Sequence, residues 1–286
     1  MPKLLWSQLL PAPSAGIALA RETGIVLAWD IQNQLTLVHR NGAVIAEARL
    51  TESVTCAAIA DDGSAIAVAD EHSVIWLNRD LKEQWRKPIP VKPTAIALEG
   101  LGHFLAIAVA ANTVEFFDSG GRLFGSAVSV PRALYHLRMP PESQTLFGAA
   151  DFGLILAIDL ARREIVWQDN PVTHLGDLDA AAGGSIVCTA CFSEGIRRTD
   201  RARRPLPAIL TAEPCRFVAA SYSGARFLAG SIVGGIAGYD DRGALRFEQR
   251  FEQLVTGVQL APLADVAVIA LSDGRVIGLD VSAELK

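Results

Sequence analysis

A beat of about forty residues runs through the chain. Short runs that close on a polar residue recur as Leu37-Val38-His39, Trp76-Leu77-Asn78, Phe116-Phe117-Asp118, Ala157-Ile158-Asp159, Arg198-Thr199-Asp200, Gly238-Tyr239-Asp240 and Gly278-Leu279-Asp280, so that the closing residues stand 39, 40, 41, 41, 40 and 40 positions apart. A period of roughly 20 to 50 residues marks a repeat architecture, in which each unit buries its apolar faces against its neighbours.

Within each period the pattern is that of strands. Ile66 and Val68, Ile107 and Val109, or Val266, Val268 and Ala270 alternate with residues that are themselves small or apolar, as strands packed on both faces require. Turn signals interrupt every few residues: Asn41-Gly42, Asp61-Asp62-Gly63, Gly120-Gly121, Gly183-Gly184 and Asp273-Gly274. One unit reads as strands over 54–60, 65–70, 73–78 and 83–89, which is the content of one propeller blade. In the segment 245–254, Arg246, Glu248, Arg250 and Glu252 share one face opposite Phe247 and Phe251, the charge alternation of an edge strand that resists edge-to-edge pairing.

The expected fold is all-β: a seven-bladed β-propeller of four-stranded antiparallel blades in a single domain over 1–286. The units run approximately over 16–53, 54–92, 93–131, 132–173, 174–214, 215–254 and 255–286, the last completed by 1–15. That completion follows from counting. Trp85 comes seven residues after Asn78 and Trp167 eight after Asp159, whereas seven after Asp280 lies just beyond Lys286. The last blade lacks its outer strand, and Leu4-Leu5-Trp6-Ser7-Gln8-Leu9-Leu10 resembles Glu83-Gln84-Trp85-Arg86 and Ile165-Val166-Trp167-Gln168. The N-terminal strand is expected to close the ring.

The turn motifs Ala69-Asp70-Glu71-His72-Ser73-Val74, Ala150-Asp151-Phe152-Gly153-Leu154-Ile155 and Leu271-Ser272-Asp273-Gly274-Arg275-Val276 resemble the Asp turn of WD-repeat propellers. Ala157-Ile158-Asp159 followed by Ile165-Val166-Trp167 resembles the quinoprotein-like repeat. The resemblance spans the chain and implies a propeller. It departs from the WD pattern in lacking a Gly-His pair before the first strands, since Gly102-His103 falls in a turn; the family's hydrogen-bonded tetrad is not carried over. No blade offers the cofactor-binding set of a quinoprotein dehydrogenase, so the resemblance implies architecture rather than activity, and no cofactor is expected.

A net charge of −5 with a pI near 5.6 disfavours nucleic acid and anionic membrane surfaces as partners. The opening ten residues are too short and polar for a signal region, and no run of about 18 apolar residues occurs. The cytoplasm is the expected compartment. Cys56, Cys188, Cys191 and Cys215 follow no disulfide framework and read as reduced, buried thiols. The one CxxC pair, Cys188 and Cys191, would point to opposite faces of a strand and so could not clamp one zinc without a break.

Turn acids Asp30, Asp70, Glu71, Asp151, Glu194 and Asp273 would gather on one face of the ring. There they either suit a hard cation or, as Asp does at turns, accept hydrogen bonds from their own backbone. No G-x-S-x-G, P-loop or dinucleotide motif occurs, and the histidines His39, His72, His103, His136 and His174 show no ligand spacing. No catalytic, cofactor or metal residue is therefore assigned. Two features remain. His136 and Arg138, on the inner strand of the fourth unit, are expected to face the central channel. Arg197, Arg198, Arg201, Arg203 and Arg204 crowd the third strand and following turn of the fifth unit, either as a site for an acidic protein surface or as a solvated hairpin. The expected function is a non-enzymatic scaffold or adaptor that binds protein partners. A metal-dependent, lactonase-like hydrolase using channel carboxylates and His136, and a structural subunit of a larger complex, stand as alternatives.

Overall fold

The computed structural model describes residues 1–170 and 174–285. Seven four-stranded antiparallel sheets stand around one axis. In blades 1 to 6 the strands run in chain order from the axis outward, beginning with Ser14–Leu19, Cys56–Ile59, Pro93–Leu98, Leu134–Arg138, Leu175–Ala180 and Cys215–Ala220. The expected seam between the fourth and fifth units, at 173 and 174, adjoins residues 171–173, which lie outside the described residues, as does Lys286. No helix among the described residues is long and apolar enough to cross a membrane.

Blade 7 is built from both ends of the chain, as expected. Its inner three strands are Val255–Leu260, Val266–Leu271 and Arg275–Asp280, and its outer strand is Lys3–Leu9, antiparallel to Arg275–Asp280. Trp6 is buried and lies over Gly278, where a Cβ would collide with the indole. Its other side abuts Gly42 of blade 1, and Gln8 Nε2 donates to the Gly42 carbonyl at 2.5 Å. One strand thus completes blade 7 and also fastens it to blade 1.

The same contact recurs with different partners. Two residues before each closing polar position, the third strand presents the surface that the outer strand covers. Phe247 covers Gly238, Trp167 pairs with Ala157, and Trp85 stacks on Trp76 with ring centroids 5.6 Å apart. Over Gly278, Gly238 and Ala157 a large ring lies on a small residue, which suits close packing; the Trp76–Trp85 stack is the exception. Blade 3 departs from the pattern: its outer strand is only Val128–Ser129, and Arg163 of blade 4 lies over the rings of Phe116 and Phe124, at 3.7 and 4.8 Å from their centroids.

The core lies between blades, not within one. Trp6, Val268 and Val276 of blade 7 pack with Ile17, Val26 and Val38 of blade 1, and Phe116 of blade 3 packs with Leu134 and Leu156 of blade 4. Antiparallel meandering sends the linkers between blades and the turns between second and third strands to one face, here called the upper face. Turns between first and second and between third and fourth strands lie on the lower face.

Candidate functional site

The inner strands are rich in small residues, such as Ala15-Gly16-Ile17-Ala18, Ala57-Ala58 and Ala95-Ile96-Ala97, which lets seven strands converge around a channel. In blades 1, 3, 4, 5, 6 and 7 a β-bulge interrupts the pairing near the strand's upper end. A bulge inserts one unpaired residue and re-aims its side chain. The inserted residues include Thr94, Tyr135, Arg216 and Thr256, all lining the upper mouth of the channel.

His136 and Arg138 line this channel, and the structure adds two carboxylates that the sequence reading missed. Asp177 and Asp179 on the inner strand of blade 5 occupy the positions that His136 and Arg138 hold one repeat earlier. His136 Nδ1 lies 3.4 Å from Asp177 Oδ1, and Arg138 Nε lies 3.3 Å from Asp179 Oδ1. The signal was available in the chain, because 136 and 138 advanced by the local repeat of 41 residues give 177 and 179.

Asp179 is the centre of the channel's charge. Its side chain is 2% exposed and receives Arg21 Nη2 of blade 1 at 2.5 Å on one oxygen and the Ala220 N–H of blade 6 at 2.9 Å on the other. Arg21, 10% exposed, also donates to the Ala180 carbonyl and packs 5.7 Å from the centroid of Tyr222. Blades 1 and 5 are not neighbours, so this ion pair bolts the channel across its width. Above the bolt is a vestibule of about 240 Å³ open to the upper face. Below it is a cleft of about 60 Å³ at the lower mouth, lined by Asp61.

The two compartments differ electrostatically. Burial pushes the Asp177 carboxyl up, but the hydrogen bond and charge of His136, the charge of Arg138 and the Leu178 N–H outweigh it and hold the group below its ordinary range. Asp177 is thus a fixed negative charge in the vestibule wall. Burial also pushes Asp61 up, to about 6, with the Arg21 charge opposing only in part.

Of the acids in the turns between second and third strands, Asp30, Asp70 and Asp273 hold their own loops, whereas Glu71 pairs with Lys92 and Glu194 with Arg197. Asp30 Oδ1 accepts the N–H groups of Gln32 and Gln34, and Asp70 Oδ1 those of His72 and Ser73. Asp30 Oδ2 also accepts the Ala12 N–H, which ties the chain leaving the outer strand of blade 7 to blade 1. Among the described residues no three His, Cys, Asp or Glu side chains come together in a metal-binding group. Cys188 and Cys191 are both buried in the second strand of blade 5, Cys188 Sγ donating to the Asp179 carbonyl.

The arginine run does not form one patch. Arg198 is only 5% exposed, which removes it from the expected surface site or solvated hairpin. Its guanidinium lies between blades 5 and 6, 5.2 Å from the centroid of Phe227, and donates to the carbonyls of Asp241 at 2.6 Å and Pro207 at 2.8 Å. The reason is positional: residue 198 stands two before Asp200, the place that Trp76, Phe116 and Ala157 fill in other blades. Arg197 pairs with Glu194 and Arg204 with Asp200, at 2.5 and 2.7 Å, while Arg203 donates to the Val166 carbonyl of blade 4. Arg201 is exposed.

No protein-family model matches the chain, and no curated protein sequence matches it. Among solved structures it is similar to the β-propeller domain of Cps50 (Swd1) from Myceliophteria thermophila. The TM-score is 0.82 at 14% identity, and the match covers 99% of this chain and 100% of that one. At that identity the likeness is one of fold: a β-propeller, here of seven four-stranded blades.

Proposed function

We propose that the protein is a non-catalytic docking platform whose upper face receives a protein partner. One observation carries this reading: large apolar side chains stand exposed around that face on several different blades. They include Ile31, Tyr135, Phe152, Phe192, Ile232 and Leu254, with Phe152 at 67% and Ile31 at 63%. Scattered apolar residues are ordinary on any surface, whereas a ring of them around one mouth is a feature of binding faces. Phe152 adds a second sign. It holds a left-handed backbone, φ 59°, which costs a bulky residue energy, yet its ring is turned to solvent with the Arg132 guanidinium 5.7 Å from its centroid. Neither burial nor local hydrogen bonding accounts for a phenylalanine there; contact with a partner does.

The vestibule fits the same reading. Arg216 at its mouth is exposed and donates to the Gly176 carbonyl at 2.6 Å, and His136 and Asp177 lie below it, so a partner side chain entering the channel meets polar groups inside an apolar rim. The test is affinity purification from the native host with the wild-type chain and with Phe152→Ser, Phe192→Ser and Ile232→Ser combined. The expected result is loss of co-purified protein with the melting temperature little changed, because all three side chains are exposed. Undiminished recovery of the same partners by the triple variant would remove the upper face from the proposal.

A further inference from the structure

Each blade ends in an outer strand whose far edge has no neighbour in its sheet, and such edges invite pairing with another chain unless charge, proline or shortness prevents it. Charged residues stand on the outer strands of blades 1, 4 and 6, as Glu47 and Arg49 do in Val44–Arg49 and Arg246, Glu248 and Arg250 in Leu245–Arg250. Prolines stand in those of blades 2 and 5, at Pro88, Pro205 and Pro207, and that of blade 3 is two residues long. Blade 7 lacks all three. Its outer strand, Lys3–Leu9, is the longest of the seven, and its one charge is at the first position. Leu4, Leu5 and Leu9 are 56, 46 and 70% exposed.

The free edge has a definite pattern. The Leu10 N–H bonds inward to the Gly274 carbonyl, so by the alternation of an antiparallel ladder the main-chain groups of Ser7 and Leu9 point away from the sheet. Leu5, the bulge residue between Leu4 and Trp6, has no partner in the ladder. The outer strands of blades 1, 2, 4 and 6 also have a bulge but add charge or proline to it. Main-chain donors and acceptors are therefore free at 5, 7 and 9, and these residues, Leu-x-Ser-x-Leu, read the same in both directions.

A two-fold interface needs a surface that complements itself. Antiparallel pairing about Ser7 meets this condition: Ser7 faces Ser7 of the second copy, and Leu5 and Leu9 face the second copy's Leu9 and Leu5. The two Lys3 side chains end about 27 Å apart instead of opposed. No other outer strand of the chain offers an uncharged, proline-free edge of this length, so like strand pairs with like, and assembly stops at two because each chain has one such edge.

We infer that the protein forms a two-fold homodimer by antiparallel pairing of Lys3–Leu9 with the same strand of a second copy. The two seventh blades then make one continuous sheet. The contact lies on the rim, so both upper faces stay open and the dimer is independent of the docking reading. It buries less than the roughly 1,200 Å² of a stable interface, so association falls in the micromolar range.

Sedimentation velocity of the full chain from about 1 to about 200 µM tests it, and the expected outcome is a shift from monomer to dimer as concentration rises. Leu5→Lys with Leu9→Lys sets lysine against lysine and should weaken association by about tenfold or more. Leu5→Lys with Leu9→Glu sets each lysine against a glutamate in this register and should restore the dimer. Both variants should melt near the wild type, because the two side chains are exposed. Should either fold poorly, Ser7→Cys decides: mild copper–phenanthroline oxidation should link it as a dimer, since facing residues of such a pair have Cα atoms about 5.5 Å apart, and should leave the wild type unlinked. A wild type monomeric at the highest concentration, a dimer that persists with lysine at both positions, a lysine–glutamate variant no better than the double lysine, or a Ser7→Cys chain that does not cross-link would each overturn the inference.

Discussion

Replacing Trp6 with alanine tests the closure of the ring at one side chain. The indole is 8% exposed and fills the space over Gly278 and beside Gly42. A buried tryptophan removes roughly 200 Å² from water, which at about 25 cal/mol/Å² is roughly 5 kcal/mol. Part of this is offset, because Trp6 Nε1 is buried without an acceptor among the described residues and its removal relieves a desolvation cost of about 1–3 kcal/mol. The cavity left between two glycines, neither of which can fill it, adds to the loss. The net expectation is about 3–4 kcal/mol, a fall in melting temperature of roughly 6–8 °C at a little over 2 °C per kcal/mol. Urea denaturation and thermal melting followed by circular dichroism measure it. Leu9→Ala, on the same strand but 70% exposed, should change almost nothing, and Trp6→Phe should keep most of the stability. A loss below about 1 kcal/mol for Trp6→Ala, no larger than an average substitution, would mean that the ring holds without this strand and would refute the closure argument.

Arg198→Met keeps the bulk of the side chain but strips the Asp241 and Pro207 carbonyls of their donor; thermal melting should show a loss of about 2–4 kcal/mol, whereas Arg201→Ala should stay within about 0.5 kcal/mol. The Asp61 carboxyl, raised in the folded protein from 3.8 to about 6, binds its proton more tightly folded than unfolded. Its contribution is therefore full below about pH 4 and is lost as pH rises through about 6. Melting temperatures of the wild type relative to Asp61→Asn should fall over that window and level off above it, and a flat difference would contradict the assignment. Burial pushes the Cys56 thiol up to about 12 and raises those of Cys188 and Cys215 as well. Iodoacetamide at pH 8, read by mass spectrometry, should leave these three unmodified in the native protein and label them after unfolding.

The repeat made the architecture legible in advance. Seven closing positions at nearly equal intervals, strand-length apolar runs and a tryptophan segment at the start matching the one missing at the end leave few arrangements other than a ring closed on itself. Local chemistry was equally readable: the turn aspartates accept hydrogen bonds from residues two to four positions on, an interaction within one loop that needs no tertiary context. Position within the period also carried more than composition did. Arg198 belongs to a run of arginines by sequence but to a core layer by phase, and the phase prevailed because the third strand of a blade is covered on both faces.

What only the tertiary structure decided is which distant residues meet. Arg21 and Asp179, 158 positions apart, pair because the ring brings blades 1 and 5 to opposite sides of one narrow channel, a relation that no local pattern encodes. The apolar ring of the upper face arises in the same way. It is made of residues unremarkable in their own segments, and only the closing of seven sheets around an axis determines which residues are buried between blades and which are left facing solvent together.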